Sequence, residues 1–159
     1  SKADLDEFSK EELKIIVLEL KKRYGVKDSE IKEITREKDN LIPITAFAGN
    51  LSPLEAAAYY LNTEKGISVS SIANILKRKQ PTIWTAVKNA EKKNPPKPRE
   101  CMISIGAELL ADPKLSILEV VVHYLKREYN ISFAQIASLL NKDQRTIWTA
   151  YNRGVRKRR

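Results

Sequence analysis

The chain has one cysteine, Cys101, and one histidine, His123, in 159 residues. A lone thiol has no partner for an internal disulfide, and the two side chains together cannot complete a zinc or iron–sulfur ligand set. Such usage suits a reducing compartment, and the expected location is cytoplasmic and nucleoid-associated. Glycine is scarce, with 5 residues, and no Gly-rich phosphate loop, metal-ligand spacing or nucleophile motif occurs. No catalytic residue, metal site or cofactor is expected, and the chain is not read as an enzyme. No apolar stretch approaches the roughly 20 residues needed to span a bilayer, and Ser1 to Glu7 is acidic where a secretion signal is basic and then apolar, so no membrane partner is expected.

What is abundant is Leu, Ile, Ala, Lys and Glu, straight-chain or small residues that lose little freedom in a helix. The expected fold class is all-α. The net charge of +9 is uneven: residues 1–40 carry 10 Lys/Arg against 11 Asp/Glu, and residues 41–159 carry the other 19 against 9. A field of that sign concentrates polyanions, nucleic acid foremost.

The chain also repeats itself. Leu51–Ala90 aligns without gaps on Leu115–Gly154, with 18 of 40 positions identical. Upstream, Ile42-Pro43-Ile44 and Ile103-Ser104-Ile105 read as matched lead-ins, with about three extra residues after the second. Each repeat is punctuated into three helices. Ser52-Pro-Leu-Glu55 and Ser116-Ile-Leu-Glu119 are capping boxes that start the first helix. Leu54, Ala57, Ala58 and Leu61, and their counterparts Leu118, Val121, Val122 and Leu125, form its buried stripe. Gly66 and Asn130 tolerate the left-handed backbone that ends it. A short second helix starts at Ser68 and at Ser132, the latter in a capping box with Gln135, and runs to about Leu76 and Leu140. After a turn at Lys77–Lys79 or Asn141–Asp143, a third helix begins, with Pro81 in its first turn in one repeat and Asp143 as N-cap in the other.

Between the repeats, Pro95, Pro96 and Pro98 read as a stiff linker. Residues 9–24 begin with the capping box Ser9–Glu12, carry Leu13, Ile16, Val17, Leu20 and Tyr24 on one face, and end at Gly25. Residues 28–38 are a candidate second helix with Ile31 and Ile34 as its apolar contacts. The expected organisation is an N-terminal helical segment for assembly or docking (1–40), a first domain (41–92), a Pro-rich linker (93–102) and a second domain with a basic tail (103–159). Residues 9–24 are the candidate surface for a homodimer or for RNA polymerase, with packing on the protein's own first repeat as the alternative.

A short helix, a three- or four-residue turn and a further helix, with small Ala73 or Ala137 where the two approach, is the helix-turn-helix arrangement, here twice in tandem. The segments SIANILKRKQPTIWTAVKNA and QIASLLNKDQRTIWTAYNRG resemble the helix-turn-helix of sigma factor region 4 and related bacterial and archaeal regulators. The resemblance implies that the third helix is the recognition helix. It covers both copies but not residues 1–40, and the upstream sigma domains are missing, so promoter selection is not implied. One departure is Lys77, where Gly or Asn would suit the turn better.

Helical geometry sorts the third helix independently. At 100° per residue, Ile83, Ala86, Val87 and Ala90, and Ile147, Ala150, Tyr151 and Gly154, fall on an inner arc. The outer arc holds Pro81, Thr85, Lys88, Asn89 and Lys92 in the first repeat and Arg145, Thr149, Asn152, Arg153 and Arg156 in the second. Gln80 and Gln144 open the helix, beside Thr82 and Thr146. Arg and Lys suit guanine edges or phosphates, Asn suits adenine, and the Thr methyl suits thymine, so these residues form the candidate DNA-binding set. Trp84 and Trp148, at the arc boundary, are read as rim packing, with sugar–phosphate contact as the alternative. His123, aligned with Tyr59, is read as structural. The tail Gly154–Arg159 is either a backbone grip or a disordered solubilising end.

The function expected is sequence-specific binding of double-stranded DNA, as a transcriptional regulator. The alternatives are the DNA-targeting segment of a recombinase or partition system, and a helix-turn-helix protein-interaction module. RNA binding ranks lower, for want of an exposed aromatic platform. A linker reach of about 31 Å would place the two third helices in successive major grooves, and head-to-tail joining predicts half-sites in direct repeat.

Overall fold

A computed structural model describes residues 8–30 and 40–159, which are mostly helical. The chain divides into a unit of residues 1–38 and a compact unit of residues 39–159.

In the first unit, α1 spans Lys10–Tyr24. The Glu12 amide donates to Ser9 Oγ at 3.2 Å and the Ser9 amide to the Glu12 carboxylate at 3.0 Å, the reciprocal capping box its spacing predicts. Gly25, at φ 63°, ends the helix. Leu13, Ile16 and Val17 are half-buried, but Leu20 and Tyr24 are exposed, and so are Ile15 and Leu18 on other faces. The apolar surface of α1 is thus wider than a single stripe. Of the candidate helix at 28–38, residues 28–30 are helical and the rest lies outside the described residues.

The second unit contains β1 (Leu41–Pro43), a 3-10 turn (Ile44–Ala48), α2 (Pro53–Thr63), α3 (Val69–Leu76) and α4 (Gln80–Lys93). The second repeat follows with β2 (Ser104–Gly106), a 3-10 turn (Ala107–Ala111), α5 (Ile117–Tyr129), α6 (Phe133–Leu139) and α7 (Gln144–Arg158). The helix starts follow from the capping boxes at Ser52, Ser116 and Ser132 and from Asp143, whose carboxylate accepts from the Arg145 amide. Asn130 closes α5 in the left-handed region at φ 48°. α7 runs through Arg158, so the basic tail is its last turn and not a disordered end.

The lead-ins depart from expectation. β1 and β2 pair with each other, antiparallel, with Leu41 opposite Gly106, Ile42 opposite Ile105 and Pro43 opposite Ser104. The buried positions are Ile42, Ile44 and Phe47 in one copy and Ile105, Ala107 and Leu110 in the other, so the lead-in equivalent to Ile42-Pro43-Ile44 is Ile105-Gly106-Ala107 rather than Ile103-Ser104-Ile105. Matching isoleucines alone gives the register Ile42–Ile103. The correct one matches burial, because the side chains facing the core decide the register of a strand.

The pairing extends past the strands at both ends: the Ile44 amide donates to the Ile103 carbonyl at 3.1 Å and the Ala107 amide to the Asn40 carbonyl at 2.9 Å. Each 3-10 turn crosses over to pack on the second helix of the opposite repeat, the first on α6 and the second on α3. One continuous core results, with Leu61, Ile72, Leu76 and Ile83 of the first repeat and Leu125, Ile136, Leu140 and Ile147 of the second all buried. Each such side chain contributes about 1.5–3 kcal/mol by leaving water. Segments 41–92 and 103–159 therefore share one core within one compact unit. The Pro-rich stretch between them has no regular secondary structure, and Thr45 Oγ1 donates to the Arg99 carbonyl at 2.6 Å, which lays it against the first repeat.

Candidate nucleic-acid interface

The third helices α4 and α7 are oriented from three sides. Their inner arcs are buried as helical geometry predicts: Ile83, Ala86, Val87 and Ala90, and Ile147, Ala150 and Gly154, with Tyr151 half-buried. At the amino end, the turn before each helix takes one left-handed residue, Lys77 at φ 51° and Asn141 at φ 48°. The two turns share a geometry although only asparagine favours it. At the carboxyl end, Lys93 Nζ donates to Glu55 at 2.8 Å and Lys157 Nζ to both carboxylate oxygens of Glu119 at 2.9 Å. Glu55 and Glu119 are also the capping-box carboxylates of α2 and α5, so one nearly buried group ties the start of the first helix to the last turn of the third. The Lys93 hydrogen bond, helped by the Ser52 amide, holds the Glu55 carboxyl below its ordinary range against the opposing pull of burial.

In the second repeat, two more contacts hold α7. Asp112 accepts from the amides of Lys114 and Leu115 and lies 3.9 Å from Arg158; the Lys114 amide is the largest cause of its lowered carboxyl pKa. His123 is buried, stacks on Tyr151 with ring centroids 4.6 Å apart, and places Nε2 2.9 Å from the Tyr151 carbonyl. It is a packing residue. Desolvation lowers its pKa, opposed by the hydrogen bond to Tyr151.

The outer arcs face solvent. Gln80, Pro81, Thr82, Thr85, Lys88, Asn89 and Lys92 are exposed on α4, and Gln144, Arg145, Thr146, Arg153 and Arg156 on α7, while Thr149 and Asn152 are half-buried. Not all the polar groups are equally available. The Asn152 amide donates to the Trp148 carbonyl at 2.9 Å, and Lys88 pairs with Glu91 at 3.1 Å while lying 5.9 Å from the Trp84 ring centre. Among the described residues Arg145, Arg153 and Arg156 form no ion pair, which leaves three guanidinium groups on one face of α7. Beside them, a shallow cleft lined by Ser116, Leu118, Thr146, Thr149 and Arg153 runs between the amino end of α5 and α7.

Two features of this surface go beyond the sequence reading. Trp84 and Trp148, expected to close the core rim, are each 56% exposed. The reason is position: each follows a fully buried isoleucine, Ile83 or Ile147, by one residue, about 100° round the helix and outside the arc that faces the core. The turn Lys77-Arg78-Lys79 is also exposed and adds three cations at the amino end of α4, whereas Lys142 and Asp143 leave the matching turn of the second repeat close to neutral. The sequence marks Lys77–Lys79 as a turn; its exposure makes it a cationic patch as well.

Comparison with protein-family models, with curated proteins and with solved structures finds no match for this chain.

Proposed function

We propose that the chain binds double-stranded DNA, with each repeat acting as a helix-turn-helix unit and α4 and α7 as the recognition helices, and that it serves as a sequence-specific regulator. The observation that carries this reading is the outward face repeated on both third helices. Gln, Thr and Thr recur at the same positions, Gln80/Gln144, Thr82/Thr146 and Thr85/Thr149, among unpaired arginines or a basic turn, on helices whose inner faces are buried. Duplicated hydrogen-bonding and methyl groups on a cationic, rigidly held helix are the chemistry of major-groove readout.

The test is binding of fluorescent duplexes to the purified protein across a range of salt. Each neutralised phosphate releases a counterion, so log K should fall against log salt with a slope of about −0.9 per contact. A slope near zero would remove the DNA reading. A second reading has one observation in its favour: the two indoles at 56% exposure could stack on unpaired bases, as in single-stranded nucleic-acid binding. Competition by single-stranded RNA stronger than by duplex DNA, lost on Trp84→Ala with Trp148→Ala, would favour it.

A further inference from the structure

Resting on the duplex-DNA reading, we infer that the two half-sites are inverted with respect to each other, an imperfect palindrome, and not in direct repeat. The argument begins with the backbone pairing. Leu41, Ile42 and Pro43 correspond to Ser104, Ile105 and Gly106, and the register sets Leu41 against Gly106, Ile42 against its own counterpart Ile105, and Pro43 against Ser104. Exchanging each residue for its counterpart reproduces the same pairs. The flanking bonds obey the same exchange: Ile44 corresponds to Ala107 and Asn40 to Ile103, and Ile44 N to Ile103 O becomes Ala107 N to Asn40 O. So does the crossed packing of the first 3-10 turn on α6 and the second on α3. A local two-fold axis therefore passes between Ile42 and Ile105 and relates the two repeats, although the chain is continuous.

Each third helix packs on the first two helices of its own repeat, α4 on α2 and α3, α7 on α5 and α6, so the axis that relates the repeats relates α4 to α7. A two-fold axis reverses direction. A direct repeat would require one recognition helix to be carried onto the other by translation along the duplex, which is the arrangement a loose tether allows and a hydrogen-bonded strand pair does not. A duplex has two-fold axes of its own perpendicular to its length, and a two-fold protein matches them only when its half-sites are inverted. The half-sites are imperfect because the outward faces differ: Pro81, Lys88, Asn89 and Lys92 stand where Arg145, Asn152, Arg153 and Arg156 stand, while the Gln and Thr positions agree.

The experiment is selection of bound duplexes from a random pool, run in parallel with the wild-type chain and with a full-length variant carrying Pro81→Arg, Lys88→Asn, Asn89→Arg and Lys92→Arg. All four positions are exposed, so the fold should persist, and a thermal melt verifies it. The wild type should yield two dissimilar inverted half-sites, and the variant, with the four differing outward positions of its third helices equalised, a near-perfect palindrome bound as one chain per duplex. Turning one half-site to direct orientation should weaken binding on the order of 10²-fold, as the second unit loses its tethered contact. Direct repeats from either chain, or one chain bridging two duplexes, would overturn the inverted arrangement while leaving DNA binding intact. No enriched motif from either chain would overturn the reading beneath it.

Discussion

At Gly154 the backbone of α7 passes so close to the buried imidazole of His123 that an added Cβ would lie 2.3 Å from Nε2. The imidazole is held by its stack on Tyr151 and its hydrogen bond to the Tyr151 carbonyl, so it cannot swing aside cheaply. Gly154→Ala should therefore destabilise the protein by about 1–3 kcal/mol despite alanine's better helix propensity. In a His123→Ala background the same change should become neutral or stabilising, and denaturant titration of the four chains measures that coupling. His123 also sets a pH dependence. Its folded pKa lies below the ordinary 6.5, so the unfolded chain takes up the proton more readily. Stability is then complete above about pH 6.5 and is lost as the pH falls through that value towards the folded pKa. The lowered carboxyls of Glu55 and Asp112 contribute separately, with stability present above their ordinary values of 4.5 and 3.8 and lost at lower pH. Denaturant midpoints between pH 8 and 5 should decline for the wild type and stay level for His123→Gln; identical curves would refute the assignment.

Among the elements, the two turns before α4 and α7 have the same backbone but different residues. Lys77 in the left-handed region costs roughly 1 kcal/mol that Asn141 largely avoids. Lys77→Asn should raise the unfolding free energy by about 0.5–1 kcal/mol and, by removing one cation of the Lys77–Lys79 turn, reduce the salt slope of DNA binding by about one contact. The third helices differ in the opposite sense. Among the described residues α7 presents Arg145, Arg153 and Arg156 without ion pairs, whereas α4 offers Lys88 already paired with Glu91. Arg145→Ala and Arg153→Ala should each weaken binding by about 1–3 kcal/mol if they reach base edges, more than Asn89→Ala does. Equal losses at Asn89 and Arg153 would mean that the two faces carry the same weight.

For the molecule as a whole, the crossed 3-10 turns make the repeats interdependent. Residues 103–159 alone would leave β2 without its partner and the turn carrying Ala107 and Leu110 without α3 to pack against. That fragment should show little cooperative unfolding, while residues 39–159 should unfold in a single transition and keep the thermal midpoint of the full chain, because they form a compact unit by themselves. Two separated transitions in residues 39–159 would show that the repeats fold independently after all.

What the sequence determined by itself is local. The capping boxes at Ser52, Ser116 and Ser132, the inner arcs of the third helices and the duplication were all legible, because a cap spans three residues and a helical stripe recurs every three or four. The outward residues of α4 and α7 followed from the same geometry. The tertiary structure alone decided everything that joins distant parts. Strands of three residues carry no alternation to read, and β1 pairs with β2 more than sixty residues away, so neither the shared core nor the two-fold relation could be found by periodicity. The Lys93–Glu55 and Lys157–Glu119 pins join residues 38 apart on different helices. The degree to which Trp84 and Trp148 are exposed depends on which elements pack beside the third helices, and the need for glycine at 154 on which side chain lies across the helix interface. Periodicity specifies which face of an element turns inward; which element that face meets is settled only when the whole chain has packed.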